Sequence, residues 1–272
     1  MKRIRTFIGA VFGVGAVAVG FAPAAAAADG PVRPDIVGGA DATETYSFMA
    51  SMQTVDGNQE CGASLIKPDW LVTAAHCVAG KEPADWQFRL NSNDRTQGGE
   101  VVKADRFVIH PNYLGEAKPS DIALVHVEAP ASAAPIAIAT ESPQPGSSFR
   151  EIGWGQTCPE PGCGEAPVAL QQLDTTVAEP TICQQEPTNN FDPATELCLD
   201  NQNGTASACY GDSGGPGLVK NGDKWVLVGA TSRGRTPACT ELPHIYTNVT
   251  TYTTWIDEQT GGNAPHARSP QH

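Results

Sequence analysis

The stretch "CYGDSGGP" (209–216) places Ser213 in a tight turn between glycines. Two other short stretches carry polar residues beside predicted strands: "LVTAAHC" places His76 after a strand, and "SDIALVHV" places Asp121 at the start of one. A serine hydroxyl is a weak nucleophile at neutral pH and needs a base nearby. An imidazole can accept its proton and return it to a leaving group. The three stretches therefore indicate one nucleophilic site.

The order His, Asp, Ser, with cysteines beside two of the three, resembles the chymotrypsin-like serine proteases, the trypsin family. The resemblance covers nearly all of residues 36–259. It implies peptide-bond hydrolysis through an acyl-enzyme, with Ser213 as nucleophile, His76 as base and Asp121 as the residue that orients His76. It also implies that the backbone N–H groups of Gly211 and Ser213 bind the oxyanion.

The chain pattern agrees with the fold that this resemblance implies: an all-β protein with two packed antiparallel β-barrels and a short C-terminal helix. Short β-type runs alternate with Gly, Pro and Asn turns, and the predicted strands are 61–66, 70–74, 86–90, 101–109, 122–127, 170–177, 225–231 and 245–249. A helical period occurs only in 249–259. The expected domains are an N-terminal barrel (36–135), a C-terminal barrel with the closing helix (136–259) and a disordered tail (260–272).

The first 28 residues have a positive start, an apolar run and a string of alanines. This pattern predicts a secretory signal peptide over 1–28, followed by an activation propeptide over 29–35. A membrane anchor is the alternative, but the apolar run is short for a span. We therefore expect a secreted, extracellular protein.

The formal net charge of −13 argues against nucleic acid and anionic membranes as partners. The expected partners are protein or peptide substrates and protein protease inhibitors, with the enzyme itself a monomer. No cofactor and no metal are expected.

The segment "PVRPDIVGG" (31–39) resembles the activation site of a zymogen. In the family, a cut before the residue equivalent to Ile36 creates an α-ammonium that pairs with the carboxylate beside the catalytic serine, here Asp212. The residue before the cut is Asp35, where the best-known relatives have a basic residue. The hypotheses are slow self-activation and a separate protease that cuts after aspartate.

The eight cysteines fit an oxidising compartment. Sequence alone leaves many pairings open, and a zinc site is the competing use. The resemblance implies three disulfides at positions usual in the family, and the two remaining cysteines would form a fourth. The pairs are Cys61–Cys77, Cys183–Cys198, Cys209–Cys239 and Cys158–Cys163.

The resemblance also locates the primary specificity pocket. Ser207, six positions before the catalytic serine, stands where trypsin-like members carry a pocket aspartate, so a preference for basic residues is not expected. In "TSRGR", Ser232, Arg233 and Gly234 replace the usual Ser-Trp-Gly, and His244 replaces a glycine on a neighbouring strand.

These replacements leave two specificities open. Hydroxyl and cationic groups in a shallow pocket favour a side-chain carboxylate in the substrate, and we take this acidic preference as slightly favoured. If Arg233 points into solvent and His244 only fills the pocket, small or medium apolar residues would be preferred.

Two rival functions fit part of the pattern. A catalytically inactive homologue acting as a binding protein would usually lack one of the catalytic or activation residues, and all of these are present. An esterase with a G-x-S-x-G elbow would need the order Ser, Asp, His.

Overall fold

The computed structural model describes residues 1, 36–187, 190–262 and 264–267. By its contacts the chain divides into two units, Met1–Val32 and Arg33–His272, and every element below belongs to the second unit. Apart from Met1, the predicted signal peptide and propeptide lie outside the described residues.

The first half of this unit is a closed antiparallel barrel that follows a short strand β1 (Ala40–Asp41). Around the barrel the strands run in the order β2-β3-β4-β7-β6-β5. Their bounds are β2 Met49–Thr54, β3 Gln59–Lys67, β4 Trp70–Thr73, β5 Trp86–Leu90, β6 Glu100–Ile109 and β7 Ala123–Val127. A one-turn helix α1 (Ala75–Val78) follows β4, and a 3₁₀ turn (Pro83–Asp85) precedes β5.

The second half is a curled sheet that forms a half-barrel. Its main path is β1-β10-β9-β12-β13-β14-β11; beside this path β8 pairs with β13, and β15 pairs with β8. A bridge between Val177 and Leu199 links the chain after β10 to β11. The strands are β8 Ile138–Ala139, β9 Ser148–Gly153, β10 Gln171–Thr176, β11 Glu196–Leu199, β12 Pro216–Asn221, β13 Lys224–Arg233, β14 His244–Asn248 and β15 His266–Ala267.

Three further features complete the fold. A short helix α2 (Pro180–Cys183) precedes β11. A 3₁₀ turn (Val249–Tyr252) and helix α3 (Thr253–Thr260) follow β14 and precede β15. No helix in the described part of the chain is both long enough and apolar enough to cross a membrane.

The strands form because apolar residues alternate along them. In β5, Trp86, Phe88 and Leu90 are buried while the two residues between them are partly exposed, which is the period of a strand with one buried face. The largest core cluster fills the barrel and continues into the second sheet through residues such as Trp154 and Leu227. The two sheets therefore pack against each other.

The all-β fold with a short C-terminal helix is confirmed. Each predicted strand is present. The predicted runs do not include the two-residue strands β1, β8 and β15 or the longer strands β2, β9, β11 and β12. Strand β2 (MASMQT) has few β-branched or aromatic residues, and pairing with β3 and β5 on its two edges overrides this weak propensity.

The predicted disorder of 260–272 does not hold for all of that segment. Strand β15 pairs with β8, Ala264 is buried, and Lys67 Nζ donates hydrogen bonds of 2.7 Å to the carbonyls of Thr260 and Gly262. These contacts fix the chain beyond α3 because they satisfy backbone carbonyls at the helix C-terminus.

The described residues contain four disulfides: the three pairs that the resemblance implied and the fourth pair expected from the two remaining cysteines. The bonds are Cys61–Cys77, Cys158–Cys163, Cys183–Cys198 and Cys209–Cys239. No described cysteine is free.

Candidate active site

A cleft of about 670 Å³ is lined by His76, Asp121 and Ser213. These are the residues predicted to be catalytic, and we call them the catalytic group. Hydrogen bonds between the two sheets hold the group in place. Gly62 N, on β3, donates to Ser213 O at 2.8 Å. Thr247 Oγ1, on β14, donates to Asp121 O at 2.9 Å. Packing of the two sheets therefore assembles residues that are far apart in sequence.

His76 and Asp121 form a close pair. His76 Nδ1 lies 2.7 Å from Asp121 Oδ2, and the His76 backbone N–H donates to Asp121 Oδ1 at 2.9 Å. Ser232 Oγ also donates to Oδ2, at 2.7 Å. These contacts fix the imidazole plane and leave Nε2 as the nitrogen directed away from the carboxylate.

The pair shifts the pKa of both members. Burial lowers the pKa of His76, but the hydrogen bond and negative charge of Asp121 outweigh burial and raise it overall. Burial raises the pKa of Asp121, but the hydrogen bonds and charge of His76 outweigh it and lower the pKa overall. Asp121 is therefore ionised at neutral pH and stabilises an imidazolium.

Ser213 lies in a turn that requires a glycine at the next position. Gly214 has a φ of +74°, and a Cβ there would lie 2.1 Å from Thr73 Oγ1. Within the described ranges, Ser213 Oγ donates to no other atom, so no hydrogen bond joins it to His76 Nε2. Catalytic contacts are often loose in the absence of substrate, and this hydroxyl has no competing partner.

The backbone N–H groups of Gly211 and Ser213 donate no hydrogen bond to any described residue. Gly211 has a φ of +101°, and its carbonyl accepts a hydrogen bond of 2.8 Å from Gln59 Nε2. That contact helps to fix the Gly211 peptide, and the two N–H groups remain available as donors to an oxyanion.

Asp212 is buried against the turn. Its carboxylate accepts hydrogen bonds from the backbone N–H groups of Gly155 (2.8 Å) and Cys209 (2.9 Å). A Cβ at Gly153 or Gly155 would approach this carboxylate to 2.0 or 2.3 Å, so glycines provide the space for it. Burial outweighs the two N–H donors and raises the pKa of Asp212 to about 7.

Ile36 is also buried, in a small cluster with Leu173 and Ala206. The next residue, Val37, accepts a hydrogen bond of 3.0 Å from the Ser207 backbone N–H. Ile36 therefore lies beside the segment that leads to the catalytic serine. Its nitrogen is a peptide nitrogen in this uncleaved chain.

The predicted pocket residues Ser207 and His244 join a third residue, Glu151, in what we call the floor group. His244 Nδ1 lies 3.0 Å from Ser207 Oγ, and His244 Nε2 lies 2.7 Å from Glu151 Oε1. Ser207 Oγ donates to the Ala208 carbonyl at 2.8 Å, so its oxygen accepts from Nδ1–H. The His244 ring therefore lies between a serine hydroxyl and a carboxylate, both within hydrogen-bond distance.

Arg233 forms one wall of the cleft and has a carboxylate behind it. Its two terminal nitrogens bind the two oxygens of Glu196 at 2.6 and 3.0 Å. The first of them also donates to Ser232 Oγ at 3.1 Å. Burial raises the pKa of Glu196 despite the opposing effect of Arg233. Arg233 is thus 9% exposed and does not project into solvent.

A family model described as Trypsin matches residues 36–256. The chain belongs to the trypsin family. One relative, the protein named "Trypsin" from Saccharopolyspora erythraea, is 33% identical over 234 residues, covering 84% of this chain and 100% of that protein. As a member of the trypsin family, the chain is a chymotrypsin-like serine protease, a hydrolase of peptide bonds.

The cleft of this trypsin-family protein includes most of the predicted pocket. Ser232, Arg233, Gly234 and His244 line it. Ser207 does not, because it is fully buried behind His244. Ser232 directs its hydroxyl to Asp121, so it supports the catalytic group.

Sequence reasoning missed two acidic residues, Glu151 and Glu196. Both lie in short strands, and both are buried at 3% exposure or less. A lone carboxylate in a buried strand is costly without a partner. That cost is the signal that could have prompted a search for a cationic partner.

Proposed function

We propose that this protease is a secreted serine endopeptidase, made as a zymogen that is cut before Ile36. We further propose a primary specificity that excludes basic residues and favours acidic over apolar ones. The observation that carries the catalytic proposal is the uncommitted Ser213 hydroxyl in the same cleft as the close His76–Asp121 pair.

The chemistry follows from these groups. His76 Nε2 accepts the hydroxyl proton as Ser213 Oγ attacks the substrate carbonyl carbon, and Asp121 stabilises the imidazolium that forms. The N–H groups of Gly211 and Ser213 bind the oxyanion, each contributing a factor of about 10²–10³ in turnover. His76 then protonates the leaving amine, and water hydrolyses the acyl-enzyme by the same steps in reverse.

The zymogen proposal rests on Asp212. Its carboxylate is buried beside Ser213 and accepts hydrogen bonds from two backbone N–H groups of the described residues. A buried carboxylate without a cation is unfavourable. An α-ammonium released at Ile36 would supply that cation and bias the turn towards one arrangement.

The specificity proposal rests on which charges face the cleft. The Arg233 guanidinium and the polar ring of His244 line it, whereas their partners Glu196 and Glu151 do not. Coulomb energy falls inversely with distance, and a substrate side chain in the cleft is closer to the guanidinium than to the carboxylate behind it. A lysine or arginine would be repelled, and a carboxylate would be attracted.

Secretion is supported by the leader pattern of residues 1–28 and by the four disulfides, which persist in oxidising compartments. The proposed protein is an extracellular monomer that acts on protein or peptide substrates and can be blocked by protein protease inhibitors.

A peptide-library cleavage profile of the mature enzyme tests the specificity. We expect cleavage after Asp or Glu to exceed cleavage after Leu, and none after Lys or Arg. Strong turnover after Phe, Tyr or Leu with none after Asp or Glu would sink the acidic proposal. A serine-directed phosphonate tests the activity itself, because an inactive homologue would form no adduct on Ser213.

The same enzyme preparation tests self-activation after Asp35. Wild-type precursor, purified alone, should slowly become cut before Ile36, and the Ser213→Ala precursor should not. Equal processing of the two would assign the cut to another protease.

A further inference from the structure

The ion pair between Arg233 and Glu196 is built across the second sheet. Glu196 lies on β11 and Arg233 at the end of β13, and β14 pairs with both strands. The Glu196 side chain is 0% exposed. Its Oε2 also accepts a hydrogen bond of 2.8 Å from the Asp192 backbone N–H, which fixes the carboxylate independently of Arg233.

This geometry uses much of the hydrogen-bonding capacity of the Arg233 guanidinium. A guanidinium has five N–H donors in a planar fork. Glu196 accepts two in a bidentate arrangement and Ser232 Oγ accepts a third. A carboxylate at this distance both holds the plane of the fork and offsets its positive charge. The cation that faces the cleft is therefore restrained and partly neutralised by a residue that substrate does not reach.

We propose that Glu196 is a specificity-determining residue that acts through Arg233. It restrains the guanidinium against the cleft wall and offsets its charge, which limits the selection for acidic side chains. Glu196 is thus a positioning residue, and Arg233 is the group that meets substrate. The inference rests on the proposed function in one respect, that the cleft beside Arg233 receives the substrate side chain.

Two peptides that differ only in the residue before the scissile bond, Glu in one and Gln in the other, measure this effect. They match in shape and differ in charge, so the ratio of their kcat/KM values reports charge selection alone. We expect Glu196→Gln to raise the Glu/Gln ratio by at least about tenfold. The rise should come from faster cleavage of the Glu peptide, a gain that general damage to the fold cannot produce.

The chain offers a matched control in a second bidentate pair. Arg150 Nε and a terminal Arg150 nitrogen bind the two oxygens of Asp174, at 2.6 and 2.5 Å, and neither residue lines the catalytic cleft. Asp174→Asn removes the same charge from the whole molecule. The Glu/Gln ratio should then stay unchanged, and an equal rise in this control would overturn the proposal.

A double variant keeps the test decisive if Glu196→Gln does not fold. Replacing both members, Arg233→Met with Glu196→Gln, removes a pair whose charges offset each other and leaves no buried charge. The Glu/Gln ratio should fall, because the nearer guanidinium outweighs the carboxylate behind it, but by less than about tenfold, since Glu196 offsets much of its charge. A fall of tenfold or more would show that Glu196 does not offset Arg233, and would overturn the proposal, as would an unchanged ratio in folded Glu196→Gln.

Failure of the proposed function would look different. A wild-type enzyme with no phosphonate adduct on Ser213 and no turnover would remove the protease activity itself. A wild-type ratio below one would remove the acidic preference. The inference about Glu196 concerns the change in the ratio, and this change is measurable whichever peptide the wild type prefers.

Discussion

Two groups in the second unit combine a carboxylate, a histidine and a serine. The catalytic group is Asp121, His76 and Ser213; the floor group is Glu151, His244 and Ser207. In both, the distance from imidazole nitrogen to carboxylate oxygen is 2.7 Å. Residue types and ion-pair distance therefore do not distinguish a catalytic site from a structural one.

The two groups differ in the exposure of the histidine and in the hydrogen bonding of the serine hydroxyl. Both histidines line the cleft, but the His76 side chain is 19% exposed and that of His244 only 3%. Ser213 Oγ has no hydrogen-bond partner in the described part of the chain, whereas Ser207 Oγ binds both the Ala208 carbonyl and His244. A nucleophile needs a hydroxyl that is free to approach a carbonyl carbon, and only Ser213 has one.

The largest test of this contrast removes each serine in turn. Ser213→Ala should lower turnover by about 10⁶-fold, because nucleophile and base act as one unit. Ser207→Ala should lower kcat/KM by less than about tenfold, since it removes only a hydrogen bond beneath the pocket. Steady-state kinetics with one peptide substrate measures both changes.

Phosphonate labelling followed by peptide mapping is the companion measurement. The adduct should form on Ser213 alone in wild type and in Ser207→Ala. Labelling of Ser207, or equal losses of turnover in the two variants, would remove the distinction drawn between the groups.

Asp212 extends the comparison to a buried carboxylate with no histidine in direct hydrogen-bond contact. Its pKa of about 7 in the uncleaved chain exceeds the ordinary value of 3.8. Between these values the folded precursor binds more protons than the unfolded chain, so stability is present at low pH and is lost as pH rises through about 7. The loss in free energy of unfolding should be on the order of 4 kcal/mol between pH 4 and pH 7.

Denaturant unfolding of the Ser213→Ala precursor at several pH values measures this loss, because that variant cannot cut itself. Adding Asp212→Asn should flatten the dependence over the same range. After cleavage before Ile36, pairing with the new α-ammonium should also flatten it. A precursor whose pH dependence is the same with and without Asp212→Asn would contradict the assignment.

Sequence could select the three residues that share the cleft, because each lies in a short, specific motif. Glu151 and Glu196 could not be selected, because their partners are distant: Glu151 is 93 residues from His244 and Glu196 is 37 from Arg233. No sequence feature near either glutamate indicates which distant residue the sheet pairs with it. The motifs therefore identified Arg233 and His244 as pocket residues but not the carboxylates that contact them.

The strands likewise differ in how far local sequence predicts them. Strand β5 alternates buried and partly exposed residues and was predicted with its observed bounds. Strand β2 is buried along nearly its whole length and has no such alternation, so only its pairing with β3 and β5 defines it. Local periodicity predicts strands with one buried face, and tertiary pairing decides the rest.

The smallest expected effect is a difference between the pKa values of two histidines, measured in one sample. Asp121 raises the pKa of His76, whereas burial lowers the pKa of His110, which packs edge-on against Tyr252 and Trp255. NMR titration of Ser213→Ala should place the His76 midpoint above 6.5 and the His110 midpoint below it.

In active enzyme kcat/KM should fall as pH drops through the His76 pKa, because only the neutral imidazole accepts the Ser213 proton. Asp121→Asn removes the charge that raises the His76 pKa, so the His76 midpoint should move down because only the effect of burial remains. The His110 midpoint should not change. A His76 midpoint unchanged by this substitution would show that Asp121 does not hold its proton.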